Sequence, residues 1–174
     1  LDRELAYARH FPAINWLKSY SGYADQLADW YEDNVSHDIP EIRARMLKLL
    51  HEESRLLEIV KLVGEDVLPD DQRLILEIAR ILRNGFMSQN AFHPVDTFVP
   101  LQKQYLMLKT MDYLYERGAH AVKKGIPISR VRNEELYGRV MKMKQSIPND
   151  DTKPFNAIKN DIRTFYDHLE QQYA

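Results

Sequence analysis

The chain has no cysteine. Disulfides, zinc–thiolate centres and cysteine nucleophiles are therefore excluded, a pattern that fits a cytoplasmic location. Glycine is scarce, with six residues in 174, too few and too scattered for a phosphate-cradling loop. No apolar run approaches the ~20 residues that a helix needs to cross a bilayer, so direct membrane insertion is not expected. Runs that alternate apolar and polar residues with β-branched enrichment are missing too, which argues against strands. The net charge is −2 and not cationic. A general nucleic-acid or bilayer surface would reward a positive excess.

What is present is a soluble composition, 44% apolar and 29% charged, too apolar for disorder and sufficient for one domain with a core. "LDRELAYARHF" is no signal peptide, because charge interrupts its apolar residues. It begins with Leu1 and not Met, so a cut from a longer chain is expected.

Periodicity predicts about six helices packed as an all-α antiparallel bundle with no sheet. "GYADQLADWYEDNV" carries Tyr23, Leu27, Trp30 and Tyr31 at helical spacing. In the next helix Asp38 and Glu41 have capping-box spacing. Ile42, Met46, Leu49, Leu50, Leu57 and Val60 form its apolar stripe, and Gly64 is its natural stop. Pro69 opens a helix carrying Leu74, Ile75, Ile78, Ile81, Leu82 and Phe86. Pro100 restarts a long one with Leu101, Tyr105, Leu108, Met111, Leu114 and Tyr115, ending near Gly125. Ser129 is the expected cap of a helix with Leu136, Val140, Met143 and Ile147. The last helix carries Phe155, Ile158, Ile162, Phe165, Leu169 and Tyr173. Residues 1–22 are less regular, and Pro12 disfavours a helix there. They read as a segment apart from a helical domain over 23–174.

No catalytic apparatus is visible. There is no Gly-x-Ser-x-Gly elbow. The six histidines show no metal-ligand pair, and "HEESR" at His51 lacks the second histidine of a zinc-protease helix. Two stretches carry more than one reading. The acidic turn "GEDVLPDDQ" either complements a helix dipole or presents charge and Val67–Leu68 to a partner at a hairpin tip. In "GFMSQNAFHPVDTF", Phe92 and Phe98 are either core plugs under a loop or an aromatic platform for a planar ring. Gln89 and Asn90 stand beside them as amide hydrogen-bonding groups.

"ARHFPAINW", "LVGEDVLPDDQRLILEIARI" and "SQNAFHPVDTFVPLQKQYLMLK" occur in that order. From about Ala8 to Gly125 the chain resembles the C-terminal helical domain of the catalytic A subunit of V-type and archaeal A-type rotary ATPases. The helices beyond suit that family's variable C-terminus.

The resemblance implies a longer protein with an N-terminal β-barrel and a P-loop domain that holds ATP or ADP with magnesium. The catalytic groups would lie there, so this chain alone is expected to hold no cofactor and hydrolyse nothing. Three A and three B subunits would surround a rotating central stalk and drive H+ or Na+ transport, peripheral to the membrane. In the related F-type β subunit two phenylalanines six residues apart flank the adenine ring. Phe92 and Phe98 match that spacing, with Gln89 and Asn90 completing the expected adenine pocket. Glu65, Asp66, Val67, Leu68, Pro69, Asp70 and Asp71 correspond to the tip that pushes on the stalk. "HFPAINW" would sit at the junction with the nucleotide-binding domain, with Phe11, Ile14 and Trp16 exposed without it. Where the family usually has an acidic–Phe pair and a Cys, this chain has Gly85–Phe86 and Val99, and Gly85 is expected to loosen a helix end. The alternative is a freestanding helical interaction module of the same ancestry, with a partner unrelated to the motor.

Overall fold

Eight α-helices account for the described residues, 1–23 and 26–174 of the computed structural model. They are α1 (Arg3–Tyr7), α2 (Ala28–Asn34), α3 (Ile39–Val63), α4 (Asp70–Ile81), α5 (Leu101–Lys123), α6 (Ile128–Val131), α7 (Glu134–Ser146) and α8 (Lys153–Gln172). There is no strand among the described residues. The six expected helices are all found. Two short ones, α1 and α6, are additional. The helix expected over 22–35 includes Ala24 and Asp25, which lie outside the described residues; the helix itself runs Ala28–Asn34, and Gly22, Tyr23, Gln26 and Leu27 form turns, so Tyr23 and Leu27 are not on it.

The long helices alternate in direction. α3, α5 and α8 run one way, as the contacts Asp38–Lys109 and Arg45–Asp112, and Tyr113–Lys159 and Lys124–Glu170, record, while α4 and α7 return. α5 is central and packs against α3, α4, α6, α7 and α8. Its buried face runs through Tyr105, Met107, Leu108, Met111, Leu114 and Ala121. This arrangement follows from periodicity, since each apolar stripe needs a neighbour to remove it from water.

Several local expectations are corrected. On α3 the stripe continues through Glu53 and Leu56, and Leu57 is exposed. The 3.6-residue period favours position 56, and the Arg83 guanidinium makes Glu53 tolerable inside, with Nε donating at 3.0 Å. No capping box forms at Asp38: its carboxylate accepts from Ser36 and Tyr105 hydroxyls and from Lys109, while Glu41 pairs with Arg45. Asn133 and not Ser129 caps α7, its Oδ1 accepting from Leu136 N at 2.8 Å. Ser129 lies inside α6.

α4 does not stop at Ile81. It passes into a π-helical segment, Leu82–Met87. Gly85 does more here than end a helix. A Cβ on it would lie 2.8 Å from Met141 O and 3.1 Å from Met141 Cα, so only glycine permits this approach to α7.

Candidate functional site

The α4 rod, 12 helical residues followed by six π-helical ones, spans roughly 25 Å at ~1.5 Å per residue. One end carries the acidic turn and the other carries the aromatic loop.

At the turn Gly64 takes φ +87°, ending α3 as expected, and Glu65–Val67 form a single 3-10 turn. Glu65, Asp66 and Val67 are exposed, together with Leu62 and Val63. Leu68 is not presented to solvent. It packs with Leu56 and Leu76 in a small cluster beneath the tip, because it faces the seam between α3 and α4. Asp70 is also committed inward, its Oδ2 accepting from Ile128 N at 3.1 Å at the start of α6. Pro69 and Asp71 are exposed. Of the expected tip residues, the outward ones are thus Glu65, Asp66, Val67, Pro69 and Asp71.

At the other end, residues 88–100 form the loop. Phe92 is 98% exposed and Phe98 is 73% exposed, so neither is a core plug. The loop is nevertheless densely bonded. Thr97 Oγ1 donates to His93 O at 2.7 Å, and Asn90 Oδ1 accepts from Phe92 N at 3.0 Å. Gln89 Nε2 donates to Asp96 O at 2.8 Å, and Asn90 N donates to Asp96 Oδ2 at 2.8 Å. The side chains of Gln89 and Asn90 therefore shape the loop.

Four groups in or beneath the loop were not singled out in the sequence: Asp96, Lys103, Lys144 and Asn149. Asp96 is buried, with Oδ1 in ion-pair contact with Lys144 Nζ at 3.1 Å. Lys144 Nζ also donates to the carbonyls of Phe86 and Ser88, which ties α7 to the end of the π segment. Lys103 is fully buried and donates to Lys144 O at 2.7 Å, Ile147 O at 2.6 Å and Asn149 Oδ1 at 2.9 Å. Burial pushes its ammonium down from the usual lysine value, with Asp96 opposing. A faint signal existed: Lys103 stands four residues before the buried Met107 and eleven before the buried Leu114, a core position on α5.

The N-terminal segment reaches this end as well. Gln89 N donates to Phe11 O at 2.7 Å. Trp16 is half-buried against the core, while Phe11 and Ile14 are exposed. His10 packs edge-on to Trp16 at 5.2 Å, and burial, then Arg83 and Lys144, hold its imidazole below the usual histidine value. Two open grooves lie elsewhere. One of about 610 Å³ runs between α7 and α8, and one of about 420 Å³ lies between α4 and α5 near the tip. Neither contains the aromatic pair.

The sequence matches the family described as the C-terminal domain of V and A type ATP synthase over residues 28–132. It is 59% identical over 173 residues to a V-type ATP synthase alpha chain 2 from Clostridium tetani and 52% identical over 173 residues to a V-type ATP synthase alpha chain from Halothermothrix orenii. The A subunit of an A-type ATP synthase from Methanopyrus kandleri is 48% identical over 173 residues. Each alignment covers 99% of this chain and 29% of the relative, so the chain spans less than a third of the length of these proteins. No helix of the described residues is long and apolar enough to cross a membrane. With a family match over most of the chain and relatives up to 59% identical, the chain belongs to the family of V- and A-type ATP synthase C-terminal domains.

Proposed function

We propose that this chain is the coupling domain of the catalytic subunit of a V/A-type rotary ATPase. At one end it completes the adenine pocket, and at the other it pushes the central stalk. Phe92 and Phe98 stack on the base, while Gln89 and Asn90 hold the loop that carries them. Magnesium, phosphate and the bond-breaking groups belong to a P-loop domain of the same subunit, so the isolated chain hydrolyses no ATP. Residues 1–22 are the junction to that domain, and 23–174 are the helical body. The exposure of Phe11 and Ile14 suits a surface covered by such a neighbour.

One observation carries the reading: two exposed aromatic rings on a hydrogen-bonded loop stand at one end of a continuous helical rod, and the exposed acidic turn stands at the other. Exposed phenylalanines bring no folding benefit in an isolated domain, whereas base–aromatic stacking contributes ~1–3 kcal/mol per base. Closure of the pocket on nucleotide swings the bundle as a rigid body, and the tip moves with it. Glu65, Asp66 and Asp71 then meet a basic stalk surface, and Val67 adds an apolar contact. In the assembled enzyme, alternating with B subunits on the cytoplasmic side of the membrane, this motion is exchanged for H+ or Na+ movement.

The test is a thiol at Val67→Cys in the assembled enzyme, paired with a cysteine placed on the stalk. Cross-linking stops ATP hydrolysis and reduction restores it if the tip drives the stalk. Continued turnover in the cross-linked enzyme would overturn the reading.

A further inference from the structure

Phe92 has almost no packing to hold it, and Phe98 is largely exposed too. Within 88–100 only Asp96 and Val99 are buried, so the loop owes its shape to polar bonds from below. Asn149, in the turn between α7 and α8, is the largest single contributor on the Phe98 side. Its Nδ2 donates to Phe98 O at 2.7 Å and to Val95 O at 3.0 Å.

Chemistry fixes which way this amide points. Lys103 Nζ has only protons to offer, so the atom facing it must be the carbonyl oxygen, Oδ1. That leaves the NH₂ turned to the loop, where both neighbours are carbonyl acceptors. The other two Lys103 protons go to Lys144 O and Ile147 O, which lack intrahelical partners at the C-terminal end of α7. All three donors of a fully buried lysine are thus engaged, and the lysine has no other orientation to adopt. The chain of bonds runs from the core of α5, through Lys103 and Asn149, to the backbone that carries the Phe98 ring. Asn149 lies beyond the residues that match the family over 28–132.

We infer that Asn149, oriented by Lys103, is a positioning residue for the adenine pocket: it fixes the Phe98 backbone and thereby sets nucleotide affinity without touching nucleotide. The inference rests on the adenine-pocket reading above. It gives the α7–α8 turn a role in ligand binding.

The experiment uses the complete multi-subunit enzyme and compares N149D, N149S, F98A and the double variant N149D/F98A. N149D keeps an acceptor for Lys103, removes the two bonds to the loop and turns a carboxylate oxygen toward the Val95 and Phe98 carbonyls. N149S shortens the side chain without adding charge, and leaves Lys103 its two carbonyls if the carboxylate variant fails to assemble. The expected result for each is a KM for ATP raised about fivefold to tenfold, with kcat within about twofold. The double variant is expected to be no weaker than F98A alone, because Asn149 acts through that ring. A purely structural role would instead lower the unfolding temperature and add to F98A. Unchanged KM in the Asn149 variants, or additive effects, with F98A itself impaired, would overturn the inference alone. Unchanged KM in F98A would overturn the adenine reading and the inference with it.

Discussion

Gly85 and Gly138 both sit in helical segments, yet the same one-methyl change at each should move stability in opposite directions. Gly138→Ala places its Cβ in open space, with nothing within 4 Å. Replacing a helix-interior glycine there should stabilise by about 0.5–1 kcal/mol through the unfolded chain. Gly85→Ala has the same entropic gain, but its Cβ would lie 2.8 Å from Met141 O, 3.1 Å from Met141 Cα and 3.2 Å from Met111 Cε. The methionine methyl can turn away, but the Met141 backbone is fixed inside α7. Overpacking costs about 1–3 kcal/mol, and a clash with fixed backbone lies in the upper part of that range, about 2–3 kcal/mol, so after an entropic gain of ~1 kcal/mol the net loss is ~1–2 kcal/mol. At ~2–4 °C per kcal/mol for a chain of this size, Gly85→Ala should melt about 2–8 °C lower and Gly138→Ala about 1–4 °C higher. Thermal unfolding followed by circular dichroism reads both. Equal or greater stability in Gly85→Ala would refute the close packing of the π segment on α7.

Phe92→Ala should leave stability within about 0.5 kcal/mol, since the ring is 98% exposed. In the assembled enzyme it should weaken nucleotide binding by ~1–3 kcal/mol, read by equilibrium titration. Arg83→Met removes the partner of Glu53, whose carboxyl burial already pushes up, with Arg83 opposing. The loss should reach about 3 kcal/mol at pH 8, the low end for an orphaned buried charge because Arg83 is partly exposed. A raised folded pKa favours the protonated form in the native state, so the penalty should shrink as pH falls toward 5, seen in paired urea titrations. Burial alone would raise the Asp38 carboxyl, but hydrogen bonds from Ser36, Lys109 and Tyr105 outweigh it and hold it well below the usual range. Its contribution is therefore present above about pH 3.9 and lost below it, and Asp38→Asn should flatten the acid limb of the stability curve.

Helix periodicity made the bundle legible, because each long helix carries its stripe in local order. Polar groups inside were not legible. The burial of Glu53, Lys103 and Asp96 is made tolerable by partners 30, 46 and 48 positions away, Arg83, Asn149 and Lys144, joined at Lys103 by the carbonyls of Lys144 and Ile147. The π segment was hidden for the same reason, since the requirement at Gly85 comes from Met141. The acidic turn and the two phenylalanines were visible as departures from pattern. Their exposure was not, and Leu68 shows how local polarity misleads: it sits among acids and is buried by Leu56 and Leu76.

If the α4 rod joins a nucleotide to the stalk, both of its ends must be occupied in the working enzyme. A cryo-EM structure of the assembled, ADP-bound enzyme reads both ends at once. The expected result is the adenine ring against Phe92 and Phe98 at van der Waals distance, ~3.5–4 Å, and Val67 against the stalk. An adenine ring remote from both phenylalanines, with the Glu65–Asp71 turn in solvent, would contradict the coupling role.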